Sequence, residues 1–336
     1  MNVAKSAYRF CELRVYKIMS SKHYLKNFID GSLAVRLGLL LGRALSRKAG
    51  YHLGDKVAKW IARHQSFSLV QAVKANQWVI RGENAKAEDL EIFAQQVFQS
   101  AMRSLFDYFY FIRRPKEIMK VISFGPGSEV LLERIHKQQA CLLLGPHMSN
   151  FDLLAHGMAL LGVKAQVLSF PNPNDAYKAQ NKLREKAGLE VTPTSISAFR
   201  KARARLREGG VVVMGVDRPL TGPSLEKYRP RFCGREANLP VMHVRMAKEA
   251  GVPIFVMCCV MLSDQTYRLE VSEPIWIKPI ADPNLEIITN AEHILGVTED
   301  MIKNDPGQWV MFYPIWPEAI NELPVKAGKD NDGKEN

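Results

Sequence analysis

The sequence predicts an α/β protein with a mostly parallel central sheet flanked by helices, preceded by an N-terminal helical amphipathic segment. From about residue 140 onward, short apolar runs alternate with segments of helical periodicity. This alternation is the pattern of strands joined by crossover helices. Before about residue 120, apolar residues recur at helical spacing and β-branched runs are few, which indicates a helical lead-in.

The lead-in contains an acidic helix start and an aromatic cluster. The acids within residues 87–91 suit the first turn of a helix. Residues 106–111 are mostly aromatic. Two interpretations of this cluster stay open, namely a lipid-facing groove and a helix packed into the core.

The elements predicted after residue 120 follow from apolar runs and the turn residues between them. Helices end at glycines such as Gly188 and Gly251. Two successive strands near 254–271 are close enough in sequence to form an antiparallel pair. The predicted strands are 141–144, 165–170, 211–216, 254–262, 267–271 and 309–313, and the predicted helices are 153–161, 175–187, 197–208, 241–250 and 284–304.

The amino-acid composition limits the classes of protein to which this chain can belong. Of 336 residues, 47% are apolar and 24% are charged, which is ordinary for a folded chain with a large core. The five cysteines are odd in number and lack CxxC or Cys/His ligand spacing. This favours reduced, buried thiols over a zinc site, so we expect no metal.

Positive charge is concentrated at the N-terminus. Residues 1–50 contain ten Lys or Arg and two acids, which is +8 of the net +12. The apolar run 33–45 is interrupted by Arg36 and Arg43, so it is too short and too charged to span a membrane. We predict an interfacial helix on an anionic membrane surface. The alternative is a helix packed on its own domain with a solvated basic face.

Three regions follow from these patterns. We predict basic, amphipathic, membrane-associating helices over 1–50, an α/β domain over 51–322 with the helical lead-in, and a disordered polar tail over 323–336. The net charge of +12 also suggests nucleic-acid binding, but the sequence contains no recognised nucleic-acid-binding module. We therefore expect no nucleic-acid partner.

A histidine and a carboxylate flank the turn after strand 141–144. His147 can act as a general base near neutral pH, with Asp152 orienting the imidazole and stabilising its charged form. Asn150 is placed to cap the helix that follows. By spacing alone, an equally good interpretation is a histidine bonded to a backbone carbonyl, with Asp152 as a first-turn acid.

A second strand end carries Asp217 and Arg218. The carboxyl ends of parallel strands share one edge of an open sheet, so both residues are expected to face the crevice of His147. Arg218 suits a phosphate or carboxylate of a substrate. The alternative is a salt bridge to Asp217 or Glu226.

Two further segments are basic. The loop 228–240 contains Arg231 and Glu236 ahead of a helix, and its arginines suit an anionic headgroup or a carrier phosphate. The alternative is a solvated loop. Residues 199–207 are most simply a solvated helix face, although such a face can also dock an acidic carrier protein or the bilayer.

Five blocks that carry these features occur in a fixed order along the chain. They are His147-Met148-Ser149-Asn150-Phe151-Asp152; Pro171-Asn172-Pro173-Asn174 with Asn181-Lys182-Leu183-Arg184-Glu185 and Gly188; Val212 to Arg218; Arg231-Phe232-Cys233-Gly234-Arg235-Glu236-Ala237-Asn238-Leu239-Pro240; and Gln308-Trp309-Val310-Met311-Phe312 with Trp316.

Together the blocks resemble the lysophospholipid acyltransferase superfamily, and more narrowly its branch of lipid A late acyltransferases and phosphatidylinositol mannoside acyltransferases. The resemblance spans residues 120–317, and five blocks in order are more specific than any one of them. Cys233 departs from the pattern where a second aromatic is usual. Residues 241–243 depart where a Gly-containing helix start is common. These departures leave the choice between the two subfamilies open.

The resemblance implies transfer of a fatty acyl group from acyl-CoA or acyl carrier protein to a hydroxyl of a membrane lipid or glycolipid. His147 would take the hydroxyl proton and Asp152 would orient the imidazole, with no acyl-enzyme and no cofactor. The residues expected to bind substrate are Asn150, Asp217, Arg218, Arg231 and Glu236.

The resemblance also implies a peripheral or monotopic protein at the cytoplasmic face of the plasma (inner) membrane. Its partners would be an anionic membrane surface, the lipid acceptor and the acyl donor. The rival interpretation is a non-catalytic peripheral lipid-binding protein of the same fold. The sequence leaves the acceptor, the acyl length and the donor open.

Overall fold

The computed structural model describes residues 32–220 and 228–325. Most of the predicted basic N-terminal segment, most of the predicted tail and the loop that holds Glu226 lie outside the described residues. The predictions for those parts therefore stay predictions.

Helices fill the described chain up to residue 118, and strands then alternate with helices. The helices are α1 (Ser32–Ala44), α2 (Arg47–Arg63), α3 (Ser68–Ile80), α4 (Ala87–Phe111), α5 (Pro115–Ile118), α6 (Ser128–His136), α7 (Phe151–Leu160), α8 (Asp175–Lys186), α9 (Ile196–Arg207), α10 (Met242–Ala250), α11 (Pro283–Asn304) and α12 (Ala319–Glu322). The strands are β1 (Ile122–Phe124), β2 (Cys141–Gly145), β3 (Ala165–Ser169), β4 (Glu190–Pro193), β5 (Val211–Gly215), β6 (Arg231–Phe232), β7 (Arg235–Glu236), β8 (Ile254–Met261) and β9 (Tyr267–Val271).

Seven strands form one mixed sheet in the order β1-β9-β8-β2-β5-β3-β4. Neighbouring strands are parallel except β8 and β9, which pair antiparallel. The predicted fold class and the predicted antiparallel pair near 254–271 are thus confirmed. Strands β2 and β5 lie near the middle of the sheet and are almost wholly apolar, as strands covered by helices on both faces must be.

Strand β2 shows how the two faces of the sheet are covered. Leu142 and Leu144 point into a core shared with α3, α9, α10 and α11. Cys141 and Leu143 point into a second core shared with α4, α5, α6 and α7. This alternation is the period of two that a pleated strand imposes. Strand β2 therefore lies between the two cores and leads into the turn that follows Gly145.

The N-terminal helices pack on α4 through four glycines spaced in pairs. Gly38 and Gly42 of α1, and Gly50 and Gly54 of α2, all face α4. A Cβ at Gly42 would stand 2.6 Å from the backbone of Phe109, so the missing side chains let the helices approach closely. This docking fixes α4 beside the sheet.

The aromatic cluster of 106–111 belongs to the core. Tyr108, Phe109 and Phe111 are each no more than 4% exposed. Their side chains pack against the face of the sheet that α5, α6 and α7 also cover. Of the two interpretations left open, the packed helix is confirmed and the lipid-facing groove is wrong.

The opposite side of α1 faces solvent. Leu33 and Leu40 are 59% and 63% exposed, and Arg36 and Arg43 are exposed on the same side. Of the helices in the described ranges, none combines the length and the apolar character that crossing a membrane requires.

The strand predicted over 309–313 is wrong. Trp309 makes only an isolated antiparallel bridge with Met148. The carbonyls of Met311 and Tyr313 accept hydrogen bonds from the side chain of Asn76, at 3.2 and 2.8 Å. A helix side chain thus satisfies backbone groups that a neighbouring strand would otherwise bind.

Several short elements were not predicted. Strand β1 has three residues, and the β6–β7 hairpin has two in each strand. A period of two cannot be recognised over so few positions. Strand β4 and helix α6 were missed as well, since both are short, β4 has no fully buried residue and α6 has few.

Candidate active site

The candidate site lies where β2 and β5 end side by side. The two strands are parallel, and Gly145 stands opposite Gly215 in their register. His147 and Asp217 each come two residues after that pair. Both side chains therefore leave the sheet at the same edge and the same level, which is where open α/β sheets hold their ligands.

Asp217 is fully buried and accepts three hydrogen bonds. Its Oδ1 lies 2.6 Å from His147 Nδ1, while its Oδ2 accepts from the His147 backbone N–H and from Trp309 Nε1, each at 2.8 Å. Burial by itself raises the pKa of Asp217. The charge of His147 and the hydrogen bonds donated by His147 and Trp309 outweigh burial and lower that pKa below its ordinary value. Asp217 is therefore ionised at neutral pH.

The ionised Asp217 fixes the tautomer of His147. A carboxylate only accepts hydrogen bonds, so Nδ1 carries the proton and Nε2 presents its lone pair. Within the part of the chain that the structure describes, no hydrogen bond engages Nε2, and the His147 side chain is 26% exposed. Phe151 packs edge-on against the imidazole, with ring centroids 5.4 Å apart. The result is a held imidazole that can accept a proton from an incoming group.

The turn that carries His147 is braced by the segment around Trp309. The Ser149 N–H donates to the Gln308 carbonyl, and the Val310 N–H donates to the His147 carbonyl, both at 2.8 Å. Ser149 has a φ of 45°. A non-glycine residue keeps this left-handed conformation when its surroundings hold it there.

The predicted pairing of Asp152 with His147 is wrong. The buried Asp152 carboxylate accepts from Arg184 Nε at 2.6 Å on Oδ1 and from Gln180 on Oδ2. The first turn of α7 presents Asp152 to the neighbouring helix α8, which carries both partners. Burial opposes the charge of Arg184, but Asp152 and Tyr177 together raise its pKa above the ordinary value. Asp152 thus joins α7 to α8.

Asn150 caps α7 as predicted, and its side chain is buried. Its Oδ1 accepts from the Leu153 N–H at 3.1 Å, and its Nδ2 donates to the Ser104 carbonyl at 2.9 Å and to the Tyr267 hydroxyl at 3.3 Å. Only 3% of Asn150 is exposed. Asn150 therefore shapes the turn, and its predicted contact with substrate stays a prediction.

Arg218 lies beside the His147–Asp217 pair with its guanidinium between two aromatic rings. The centroid of Phe170 is 4.0 Å from its Cζ and that of Tyr313 is 4.4 Å away. Phe170 directly follows β3, so its ring comes from the edge of the sheet that carries His147 and Asp217. Stacking on both faces stabilises the cation and leaves the N–H edge of the plane for an anion.

Arg231 and Glu236 face each other on the β6–β7 hairpin and are exposed. The contacts described for them run to the Glu292 carboxylate, the Gly234 carbonyl and Arg229. The structure does not bring either residue to His147, so the solvated-loop alternative describes both.

The same hairpin does reach the site through Phe232. The Phe232 ring packs edge-on against Trp309 and stacks on Trp316, with centroids 6.2 and 5.5 Å apart. The hairpin therefore supports the indole that binds Asp217.

The basic run 199–207 forms most of α9, and three of its five basic side chains are in ion pairs. Lys201 lies 2.6 Å from Glu190, which also binds Arg205, and Arg203 binds Glu249. The solvated helix face is the better description of this segment.

Two residues of the site were missed by sequence reasoning. Trp309 was assigned to a strand, and Arg184 was noted only as part of a block. Their roles depend on partners 92 and 32 residues away, at Asp217 and Asp152. No local pattern reports such pairings. The equal offset of His147 and Asp217 from their strand ends was the usable signal, but it needs the β2–β5 register.

No metal site emerges from the same geometry. Over residues 32–220 and 228–325, no three His, Cys, Asp or Glu side chains cluster as ligands for an ion. The site residues described above are one imidazole, one carboxylate and one stacked guanidinium.

Comparison with known proteins adds one match. The sequence profile of a protein family described as bacterial lipid A biosynthesis acyltransferase matches residues 18–318. The matched range contains every helix and strand of the described structure except α12. Curated protein sequences give no match to the chain.

Proposed function

The chain belongs to the bacterial lipid A biosynthesis acyltransferase family and is an acyltransferase of lipid biosynthesis, and from that premise we propose its chemistry. A fatty acyl group moves from an acyl thioester, either acyl-CoA or acyl carrier protein, to a hydroxyl of a membrane glycolipid. His147 is the general base. The observation that carries the proposal is the buried bond from Asp217 to His147 Nδ1, which leaves Nε2 at the rim of the sheet.

Proton transfer accounts for each step without an acyl-enzyme. His147 Nε2 takes the proton of the acceptor hydroxyl as its oxygen attacks the thioester carbonyl. The tetrahedral intermediate then expels the thiolate, which takes the proton back from Nε2. An ester has formed, a thioester bond has broken, and the imidazole is neutral again.

Asp217, and not Asp152, is the acid that supports this base. The imidazolium forms 2.6 Å from a buried carboxylate, and charge pairs of this kind are strong where water is excluded. Asp152 already neutralises the buried Arg184. Its part in the reaction is to hold α8 in place, and with it Tyr177, whose ring packs edge-on against Phe170.

Arg218 binds an anionic group of the donor or the acceptor. Its guanidinium is held between Phe170 and Tyr313 and presents a planar set of donors that suits a phosphate. A phosphate is present in acyl-CoA, in the carrier-protein prosthetic group and in phosphorylated glycolipids. We do not assign this role to Arg231 or Glu236, because the contacts described for them run to Glu292, Gly234 and Arg229 and not to Arg218 or His147.

The exposed side of α1 contacts the membrane. Leu33 and Leu40 supply the apolar part of this face, and Arg36 and Arg43 supply charge for anionic headgroups. We place the protein peripherally at the cytoplasmic face of the inner membrane.

Acyl transfer is tested with the full chain, detergent-dispersed total lipid and either labelled acyl carrier protein or labelled acyl-CoA. Wild type is expected to move label into lipid with one of the donors. His147→Ala should lower the rate about 10²- to 10⁴-fold. His52→Ala, which changes an exposed histidine of α2, is the control and should match wild type.

The outcomes separate the proposal from its rival. Equal labelling by wild type and His147→Ala would remove His147 as the base. Lipid binding without labelling or thiol release, with both donors, would favour the non-catalytic lipid-binding protein.

Membrane contact is tested by sedimentation with vesicles of phosphatidylglycerol or phosphatidylcholine. The double variant Leu33→Ser/Leu40→Ser should bind anionic vesicles on the order of tenfold less than wild type, because two exposed apolar side chains are lost. Leu285→Ser changes an equally exposed leucine on α11 and should bind normally. Identical binding by all three proteins would exclude α1 as the contact.

A further inference from the structure

A buried chain of hydrogen bonds runs from the N-terminal helices to the turn that carries His147. We propose that Asp107 and Tyr267 are positioning residues for acyl transfer, which act on His147 through Asn150. This inference rests on the proposed function for its kinetic readout, but its geometry stands independently.

Asp107 is the centre of the chain. It is fully buried on α4. Its Oδ1 accepts from Arg47 Nε at 3.0 Å, and its Oδ2 accepts from Arg47 Nη2 at 2.6 Å, from Tyr267 at 2.7 Å and from Tyr51. Four donors satisfy the carboxylate, so a buried charge is stabilised with defined geometry.

The direction of the hydrogen bonds is fixed at Tyr267. Burial and then the charge of Asp107 raise the pKa of Tyr267 well above its ordinary value, so the hydroxyl keeps its proton. That single proton is donated to Asp107. The hydroxyl oxygen must then act as acceptor towards Asn150 Nδ2, 3.3 Å away.

Asn150 transmits this orientation to the catalytic turn. Its Oδ1 accepts from Leu153 N–H, so its Nδ2 must be the end that faces Tyr267 and Ser104. Asn150 follows Ser149, whose left-handed backbone needs support. The turn is thus held by the segment around Trp309 on one side and by Tyr267 on the other.

A second ion pair between the same two helices differs from the hydrogen-bond chain that runs through Asp107. Arg103 and Asp55 also join α4 to α2, with hydrogen bonds of 2.9 and 2.7 Å, but both are half-buried. Arg103 also lies over the Tyr51 ring, at 5.5 Å from its centroid, but no hydrogen bond described for Arg103 or Asp55 reaches Asp107 or Asn150. The Asp107 cluster, by contrast, reaches Asn150 through the side chain of Tyr267.

The two tyrosines on Asp107 give a matched test. Tyr267→Phe and Tyr51→Phe each remove one hydroxyl that donates to Asp107 Oδ2, but only Tyr267 continues to Asn150. We expect similar losses of thermal stability. Tyr267→Phe should lower kcat about three- to tenfold, the scale of one net hydrogen bond, with the KM for the acyl donor unchanged. Tyr51→Phe should keep kcat within about twofold.

A spectroscopic readout needs no activity. The Nδ1–H resonance of His147, observed by ¹⁵N-labelled histidine NMR, reports the bond to Asp217. It should shift in Tyr267→Phe and stay in place in Tyr51→Phe. Asp55→Asn, which removes the Arg103 partner, should also leave it in place.

Each result decides between the proposals. Equal effects of the two tyrosine variants on kcat and on the resonance would overturn the positioning role. Absence of acyl transfer by wild type would overturn the proposed function. The His147 Nδ1–H resonance would still test whether Tyr267 positions His147, because it is measured without activity.

Discussion

His147 and Asp217 occupy equivalent positions, each two residues beyond the register pair that ends two neighbouring parallel strands. Their side chains meet because parallel strands project their carboxyl ends to one edge. The carboxylate is fully buried and the imidazole is partly exposed. This gradient of burial holds the acid in place and leaves the base accessible to a substrate.

The two acids of the region are expected to respond differently to loss of charge. Asp217→Asn should lower kcat/KM about 10²- to 10⁴-fold with a folded protein, because the imidazolium loses its counter-charge and the tautomer is no longer fixed. Label transfer from acyl carrier protein or acyl-CoA into lipid measures this effect.

Asp152→Asn should act mainly on stability. It leaves the buried Arg184 without its carboxylate, which costs about 3–5 kcal/mol, while the folded fraction keeps activity within about tenfold of wild type. Urea unfolding and the same transfer assay measure both. A folded, normally stable Asp152→Asn protein without activity would restore Asp152 as the partner of the base.

Gly215 leaves room for the catalytic ring. A Cβ at Gly215 would stand 3.2 Å from His147 Cε1, tight enough to displace the imidazole. We expect Gly215→Ala to lower kcat about tenfold or more, since small misplacements of a catalytic group are costly. The melting temperature should change little. Both quantities are measured on the same Gly215→Ala protein. A lower melting temperature with an unchanged kcat would contradict this prediction.

Acid should destabilise the protein through His243. The ring is fully buried on α10, and neither nitrogen has a partner among the described residues. Burial lowers the pKa of His243 to about 4. The unfolded chain binds a proton below its ordinary pKa of 6.5, whereas the folded chain does not. Stability therefore falls as pH drops from 6.5 towards 4, by about 1.4 kcal/mol per pH unit at most.

The variant His243→Leu isolates this effect. Its free energy of unfolding, measured by urea at pH 7 and pH 5, should depend less on pH than that of wild type. Parallel pH profiles for the two proteins would show that other groups cause the acid sensitivity.

Two helical glycines are expected to respond oppositely to alanine. A Cβ at Gly50 would overlap the buried ring of Phe106, whereas a Cβ at Gly296 meets nothing within 4 Å. Gly50→Ala should cost about 1–3 kcal/mol through overpacking between α2 and α4. Gly296→Ala should be neutral or add about 0.5–1 kcal/mol through helix propensity. Denaturant unfolding of both variants checks the pair, and equal shifts would contradict it.

Local sequence determined most of the elements. Apolar runs located the strands around 141–144 and 211–216, and capping residues located helix starts such as Asn150. Such features depend on neighbours within a few positions, which a single sequence displays. The same information placed His147 and Asp217 at strand ends, and therefore at one edge of the sheet.

Only the tertiary structure decided which groups pair at that edge. The β2–β5 register brings Asp217 to His147 across 70 residues of sequence, and the packing of α7 on α8 gives Asp152 to Arg184 instead. The backbone of segment 309–313 likewise forms hydrogen bonds with the Asn76 side chain and with the His147 turn, and not with a neighbouring strand. Register and helix docking are set by burial summed over the whole core, so the four-residue spacing between His147 and Asp152 could not determine the partner of the histidine.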